Sequence, residues 1–163
     1  MSITRTVGRV GVFLCECGEE IAPVVDLDKL AKKLEGSAAC VRSTRLWCSG
    51  AGRRLLAGAI EREGLDAVVV AGCSERMLGP LMHRTASEAG VNPNRVVLVN
   101  LKEHCASVHR GKRAAATVKA ARLVRSGIQK VVRAERLEAV VSEVDRSAAV
   151  IGGGISGLSA VSY

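Results

Sequence analysis

The chain has 163 residues, enough for one domain with a buried core, and 48% of them are hydrophobic. Only 2% are aromatic, so Val, Leu, Ile and Ala must fill the core and few rings are available for stacking single-stranded nucleic acid. The 24 Lys and Arg residues exceed the 16 Asp and Glu residues, and the resulting net charge of +8 favours acidic partners. No zinc-finger or RNP-type pattern accompanies that charge, and we therefore expect no nucleic-acid partner.

The chain carries no targeting or membrane-spanning signal. The apolar run at residues 10–14 is shorter than a signal-peptide core, and no apolar stretch is long enough to cross a bilayer. We therefore expect a cytoplasmic protein without a membrane span. In that compartment the six cysteines are expected to bind metal or act in redox chemistry rather than form structural disulfides.

Strands and helices alternate along the chain. Asp26, Ser49 and Ser74 stand where N-caps belong, and Gly36, Gly64 and Gly90 stand where helices end. The patterns predict strands at residues 10–14, 38–42, 67–71 and 96–100, and helices at 27–34, 49–63, 74–89 and 114–136. This order predicts an α/β fold, a small and mostly parallel Rossmann- or flavodoxin-like sheet flanked by helices.

The last of these helices is long and basic. One side carries positive charges, and another side is apolar and suited to the core. The basic side is either a solvated face of an ordinary amphipathic helix or a docking surface for an acidic partner protein. Its residues are Lys119, Arg122, Lys130, Arg133 and Arg136.

Five cysteines follow predicted strands. Cys15 and Cys17 follow the first strand, and Cys48, Cys73 and Cys105 follow the second, third and fourth. Right-handed crossovers bring the carboxyl ends of parallel strands to one edge of the sheet, where open α/β folds bind ligands. We therefore predict that these five thiols converge.

Four thiolates suffice for one metal ion or one four-iron cluster, so one member of the Cys15 and Cys17 pair is expected to stand beside the ligands. We favour Cys17 as the ligand, because Gly18 beside it frees the backbone to turn. The spacing matches neither ferredoxin runs nor paired CxxC zinc elbows. Cys40, inside the predicted second strand, is expected to pack as a small hydrophobic residue.

Two other interpretations of these thiols remain open. A structural zinc site would make the domain an assembly module without a redox role. A dithiol switch would instead join Cys15 or Cys17 to a distant thiol without metal. The three histidines, His83, His104 and His109, are expected to have surface or capping roles because enough cysteines are available as ligands.

The stretch "AAVIGGGISGLSA" contains the dinucleotide-binding fingerprint. An apolar run precedes Gly152, Gly154 and Gly157, and a helix-like start follows them. The acidic residue that would hold a ribose belongs about twenty residues further on, beyond Tyr163. The alternative is a glycine-rich loop without a ligand. We predict three parts: a cluster-binding α/β domain at 1–112, a connecting helix and linker at 113–146, and the truncated start of an FAD-binding unit at 147–163.

The segments "VGVFLCECGEEI", "VVVAGCSERM", "NLKEHCASVH" and "VIGGGISGLSA" together resemble the N-terminal region of the A subunit of heterodisulfide reductases. The resemblance runs through the whole chain and stops at the start of the FAD domain of that family. It implies a four-iron four-sulfur cluster on Cys15, Cys17, Cys48, Cys73 and Cys105, and an FAD pyrophosphate at Gly152, Gly154 and Gly157 in the full-length protein.

The same resemblance implies a function and partners. The domain would relay electrons between FAD and a partner subunit, and the 163 residues alone would not be catalytic. The partners would be other subunits of a heterodisulfide-reductase-type complex, including a hydrogenase or formate dehydrogenase subunit for electron input. The full-length form would be a homodimer.

Overall fold

The computed structural model describes residues 8–138 and 140–162. Its four strands are β1 (Val10–Cys15), β2 (Cys40–Thr44), β3 (Ala67–Gly72) and β4 (Val96–Asn100). They form one sheet in the order β2-β1-β3-β4, with every pair parallel. This confirms the predicted α/β fold, and the strand order is that of a flavodoxin-like sheet.

The sheet is covered on both faces by helices α1 (Leu27–Leu34), α2 (Gly50–Glu63), α3 (Glu75–Glu88) and α4 (Arg113–Arg133). Helices α1 and α4 pack together on one face, and α2 and α3 on the other. All residues of β1 and β3 are buried because these two strands lie in the middle of the sheet. Their uninterrupted apolar sequences reflect burial on both faces.

Two of the three predicted N-caps form hydrogen bonds through their side chains. Asp26 accepts from the amide of Lys29, and Ser49 accepts from the amide of Gly52, both at 3.0 Å. Helix α2 ends at Gly64 in the left-handed conformation, as predicted. Ser74 occupies the N-cap position of α3 but makes no capping hydrogen bond through its side chain.

The second strand lies two residues further along the chain than predicted. Strand β2 runs in register with β1, from Gly11 opposite Cys40 to Cys15 opposite Thr44. Its side chains are partly or fully exposed, so hydrophobicity carries little information about its position. Pairing with β1 decides where this strand begins and ends.

Helix α4 ends three residues earlier than predicted. The segment that follows is held by the turn at Pro93–Arg95 before β4. Asn92 donates to the carbonyl of Leu137 at 2.9 Å and accepts from its amide at 3.2 Å, and Asn94 donates to the carbonyl of Glu135 at 2.7 Å. These bonds draw the backbone into an extended path, and the helix stops.

The glycine-rich segment leads into a seven-residue helix, α5 (Ile155–Val161), which has no buried residue. Ile151 is 98% exposed and Ile155 is 82% exposed. This exposure agrees with the expectation that residues from about Ala148 onward pack poorly. No helix in the part of the chain that the structure describes is both long and apolar enough to span a membrane.

Candidate functional site

The carboxyl ends of β1 and β3 form the centre of the candidate site. These two strands are neighbours in the sheet, with Leu14 opposite Ala71. From β1 the chain crosses to β2 on one side, and β3 and β4 lie on the other side. This is the topological switch point of the sheet, the place where open α/β folds bind their ligands. Cys15 ends β1, and Cys73 follows β3 directly.

Cys17 lies in the turn after β1, and its conformation is fixed from both sides. The amide of Glu16 donates to the carbonyl of Thr44 at 3.0 Å, and the amide of Gly18 donates to the carbonyl of Arg45 at 3.3 Å. Between them Cys17 has a φ of 55°, which is uncommon for a residue other than glycine. Its Sγ lies 3.4 Å from the Sγ of Cys73.

The Cys73 thiol is half-buried at the start of α3. Burial raises its pKa to about 12, and the hydrogen bond with Cys17 and the charges of Cys17 and Cys15 act in the same direction. The positive charge of Lys102, beyond β4, acts in the opposite direction. The Cys73 thiol is therefore protonated near neutral pH until a cation displaces its proton.

Cys15 points toward the face of the sheet that carries α2 and α3. It is 4% exposed, and its Sγ donates to the carbonyl of Arg45 at 3.6 Å. Burial raises its pKa, the amides of Trp47 and Cys17 lower it, and the charges of Cys17 and Cys48 add to the increase. Gly72 leaves the room for this side chain, since a Cβ at that position would lie 2.9 Å from the Cβ of Cys15.

Cys48 is brought to the site by the loop between β2 and α2. The indole Nε1 of Trp47 donates to the carbonyl of Leu14 at 2.7 Å and ties this loop to the end of β1. The ring of Trp47 also packs edge-on against Phe13, with 5.1 Å between the ring centroids. Cys48 is thereby close enough to Cys15 for its charge to act on the Cys15 pKa.

Cys105 lies on the opposite side of the sheet from Cys15. It belongs to a π-helical turn, Lys102–Ala106, that follows β4. Its side chain is fully buried in the core beneath α4, and its Sγ donates to the carbonyl of Ala116 at 3.2 Å. Burial raises its pKa, and Lys119 is the charge that opposes this increase. The structure therefore groups Cys15, Cys17, Cys48 and Cys73 and places Cys105 apart from them.

Cys40 begins β2 and lies away from the other thiols. It packs partly against the core beneath α2 and α3. Burial raises its pKa to about 11, and a hydrogen bond to Glu63 adds to the increase. Glu63 is also the ion-pair partner of Arg42.

The histidines make structural contacts. His83 bridges the Glu75 carboxylate at 2.9 Å and the Pro93 carbonyl at 3.1 Å, and His109 contacts the Cys105 carbonyl at 2.9 Å. His104 lies on the wall of a groove along β4.

The four grouped thiols differ from a preformed metal cage. Within residues 8–138 and 140–162, no three Cys, His, Asp or Glu side chains are gathered closely enough to hold a metal ion as they stand. The donor set itself is made of sulfur alone, and thiolate sulfur is the ligand preferred by iron–sulfur clusters and by zinc. In their chemistry, these residues fit a cluster.

Three residues that support this site were not singled out from the sequence. Trp47 positions the Cys48 loop, Gly72 makes room for Cys15, and Lys102 brings a positive charge toward Cys73. The only tryptophan of the chain, directly before Cys48, and the glycine directly before Cys73 were the available signals. Nothing comparable in the sequence marks Lys102.

The glycine fingerprint forms its local turn. Gly152 has a φ of 111°, and a Cβ on Gly157 would lie 2.1 Å from the Gly152 carbonyl oxygen. The amide of Leu158 donates to the carbonyl of Gly154 at 3.0 Å. The turn that brings a helix start against the preceding backbone is therefore present at Gly152, Gly154 and Gly157.

Comparison with known proteins identifies several relatives, although no family model matches the chain. The second of two iron–sulfur A subunits of the CoB–CoM heterodisulfide reductase of Methanopyrus kandleri is 40% identical over 154 residues, which are 93% of this chain and 24% of the relative. The corresponding A subunit of Methanocaldococcus jannaschii is 39% identical over 155 residues, 93% of this chain and 23% of the relative. The A subunit of the H2/formate:CoB–CoM heterodisulfide,ferredoxin reductase of Methanococcus maripaludis is 35% identical over 153 residues, 92% and 23% respectively. The chain spans about a quarter of the length of these relatives.

Proposed function

Because this chain belongs to the family of heterodisulfide reductase A subunits, we propose that it contains the iron–sulfur electron-transfer domain of such a flavoprotein. Residues 1–112 would form the cluster domain, 113–146 the connection, and 147–163 the start of the FAD-binding unit. When bound, a four-iron four-sulfur cluster carries one electron at a time between a donor and an acceptor.

The observation that carries this proposal is the group of thiols at the switch point of the sheet. Cys17 and Cys73 are in contact at 3.4 Å, and the charges of Cys17 and Cys48 act on the pKa of Cys15. We propose Cys15, Cys17, Cys48 and Cys73 as the four ligands. Cys105 is the fifth candidate from the sequence, and it would have to leave its bond to the Ala116 carbonyl before it could serve as a ligand.

The residues around the thiols would favour a negatively charged group. The amides of Trp47 and Cys17 lower the pKa of Cys15, which means that they stabilise its thiolate. Lys102 acts on Cys73 in the same sense. Such N–H groups and charges raise the reduction potential of a cluster because they stabilise its more negative, reduced form.

The partners follow from the names of the relatives. Those names describe reductases of the CoB–CoM heterodisulfide, and one of them also names H2 and formate. We propose that this domain passes electrons between FAD at Gly152, Gly154 and Gly157 and another subunit of a heterodisulfide-reductase-type complex. A hydrogenase or a formate dehydrogenase subunit would supply the electrons.

Metal and sulfide analysis of anaerobically prepared protein tests the cofactor. We expect about four irons and four sulfides per chain, with broad visible absorption that bleaches on reduction. Four thiolates also suit zinc. Stoichiometric zinc in a colourless protein, with no iron taken up on reconstitution, would contradict the electron-transfer role and favour a structural site.

Single serine variants test the ligands. Cys17→Ser, Cys48→Ser and Cys73→Ser should each lose most of the iron, and Cys15→Ser should do the same if all four grouped thiols bind. Cys40→Ser is the matched control and should keep its iron, because Cys40 lies apart beside Glu63. Cys105→Ser should also keep its iron, and loss of iron there would replace Cys15 by Cys105 as a ligand.

A further inference from the structure

We propose that Cys17 and Cys73 form a site of thiol–disulfide exchange. In the metal-free chain, these two thiols would react with a low-molecular-weight disulfide and end as an intramolecular disulfide bond. This reaction is a covalent modification of the protein and does not depend on which metal the thiols otherwise bind.

The first support is geometric. The two Sγ atoms are already 3.4 Å apart, and a disulfide requires about 2.05 Å, so a small movement closes the bond. The partners lie at the ends of adjacent central strands. Backbone bonds from Glu16 and Gly18 to the chain after β2 fix the Cys17 turn. The pair can therefore close without refolding of the sheet.

The second support is access. Cys17 and Cys73 are both half-buried, so a small reagent can reach them. Cys15 is 4% exposed and Cys105 is fully buried, and each donates to a backbone carbonyl. Cys48 is half-buried as well and is the natural competitor for Cys17. Contact at 3.4 Å gives Cys73 the advantage as the second thiol.

The reaction proceeds in two exchange steps. The Cys17 thiolate attacks one sulfur of the small disulfide, a mixed disulfide forms, and the first small thiolate leaves and takes up a proton. The Cys73 thiolate then attacks the sulfur of Cys17, the Cys17–Cys73 bond forms, and the second small thiolate leaves. Two protein thiols are oxidised by two electrons, and the small disulfide is reduced to two thiols.

A consequence concerns the cluster, and this part rests on the proposed function. The same two sulfur atoms are proposed as ligands, so the disulfide and the cluster exclude each other. The oxidised chain would take up no iron until a dithiol reduces the bond. The domain would then have a protected metal-free state and a separate, reduction-dependent step for cluster insertion.

Peptide mapping of the metal-free full chain tests the disulfide. The reduced chain is treated with oxidised glutathione, the remaining thiols are alkylated, and the protein is digested with trypsin. We expect two of the six thiols to escape alkylation. The tryptic peptides 10–29 and 63–76 should be linked, and fragment ions that cleave between Cys15 and Cys17 should place the bond on Cys17. Dithiothreitol should restore all six thiols.

Two variants complete the test. Cys73→Ser should stop the reaction at the first step and retain one glutathione on Cys17, whereas Cys40→Ser should form the same disulfide as the wild type. Far-UV circular dichroism checks that both variants fold. Predominant linkage through any other cysteine, or stable glutathione adducts in the wild type without an internal bond, overturns the proposal. Because no iron is present, neither result bears on whether the chain binds a cluster.

Discussion

Single residues at the carboxyl ends of β1 and β3 decide how closely the thiols approach. Gly72 has no side chain, and this allows Cys15 to lie directly against the backbone of β3. Cys17 adopts a left-handed conformation that its neighbours enforce through bonds to the chain after β2. Non-glycine residues held in this conformation often belong to functional sites. The site therefore depends on the space left by one glycine and on the strained backbone of one cysteine.

The space at Gly72 gives the first expectation. Gly72→Ala would place a Cβ 2.9 Å from the Cβ of Cys15, which cannot rotate away. We expect a loss of roughly 1–3 kcal/mol in the free energy of unfolding, as for other overpacked cores, together with reduced iron content. Urea unfolding and iron analysis measure the two effects.

The matched control is Gly58→Ala in α2. There the new Cβ would meet only the mobile end of Arg62, at 2.9 Å. That variant should be unchanged or more stable by roughly 0.5–1 kcal/mol, because alanine favours the helix. Equal stability of both variants would show that Cys15 has room to move.

Asp26 gives an expectation for pH. The amide of Lys29 lowers the pKa of the Asp26 carboxyl below its usual value of 3.8, and nearby Lys29 and Arg113 act in the same direction. A carboxyl whose pKa is lower in the folded state stabilises the protein above the unfolded pKa. This contribution is lost as the pH falls through the folded pKa.

Melting temperatures should therefore fall more steeply in the wild type than in Asp26→Asn as the pH decreases from about 5 to about 2. Asparagine still caps the helix but does not ionise in this range. Differential scanning calorimetry at several pH values gives the comparison. Parallel curves for the two proteins would mean that Asp26 contributes nothing to the acid sensitivity.

At the scale of elements, the clearest interaction joins the segment after α4 to the turn before β4. Asn92 pairs with both backbone groups of Leu137, and Asn94 holds the carbonyl of Glu135. These side chains take the place of the helical bonds that α4 would otherwise have continued. The direction in which the chain leaves the cluster domain is therefore set by two asparagines more than forty residues earlier.

Removal of these bonds should expose the linker to proteases. In Asn92→Ala, two hydrogen bonds of about 1 kcal/mol each are lost, and we expect roughly tenfold faster tryptic cleavage after Arg136. Asn94→Ala loses one bond and should show a smaller increase. Cleavage after Arg146, in the exposed segment further on, serves as an internal control and should keep its rate. An unchanged rate at Arg136 would show that the asparagines do not restrain the linker.

For the whole molecule, the glycine fingerprint has its local shape but lacks a surrounding core. The turn at Gly152 and Gly157 is formed, yet Ile151 and Ile155 on either side are 98% and 82% exposed. A helix as short as α5 is marginal in water unless tertiary packing supports it. Binding of a flavin requires walls for its rings as well as amides for its phosphates.

We therefore expect that this 163-residue chain does not retain FAD. Equilibrium dialysis against FAD, with flavin fluorescence as the readout, measures the affinity. Micromolar binding would show that the exposed segment folds around the cofactor. A Gly157→Val variant, which closes the turn, would then have to abolish that binding if the fingerprint is responsible.

The sequence by itself determined the order of strands and helices and the position of each thiol along them. Continuous apolar runs identified β1, β3 and β4, and Asp26, Ser49 and Gly64 marked helix ends to within one residue. These features depend on neighbouring residues in the chain, and local patterns report them reliably. The position of Cys15, Cys17, Cys48 and Cys73 after strands followed from the same patterns.

Only the tertiary structure decided which elements and thiols meet. The register of β2 is set by its pairing with β1, and the end of α4 is set by Asn92 and Asn94, so neither boundary is encoded locally. Cys105 follows a strand as the other thiols do, but the π-helical turn directs it into the core beneath α4. The direction of a side chain beyond a strand depends on the packing of the following turn, and packing joins residues that are distant in the sequence.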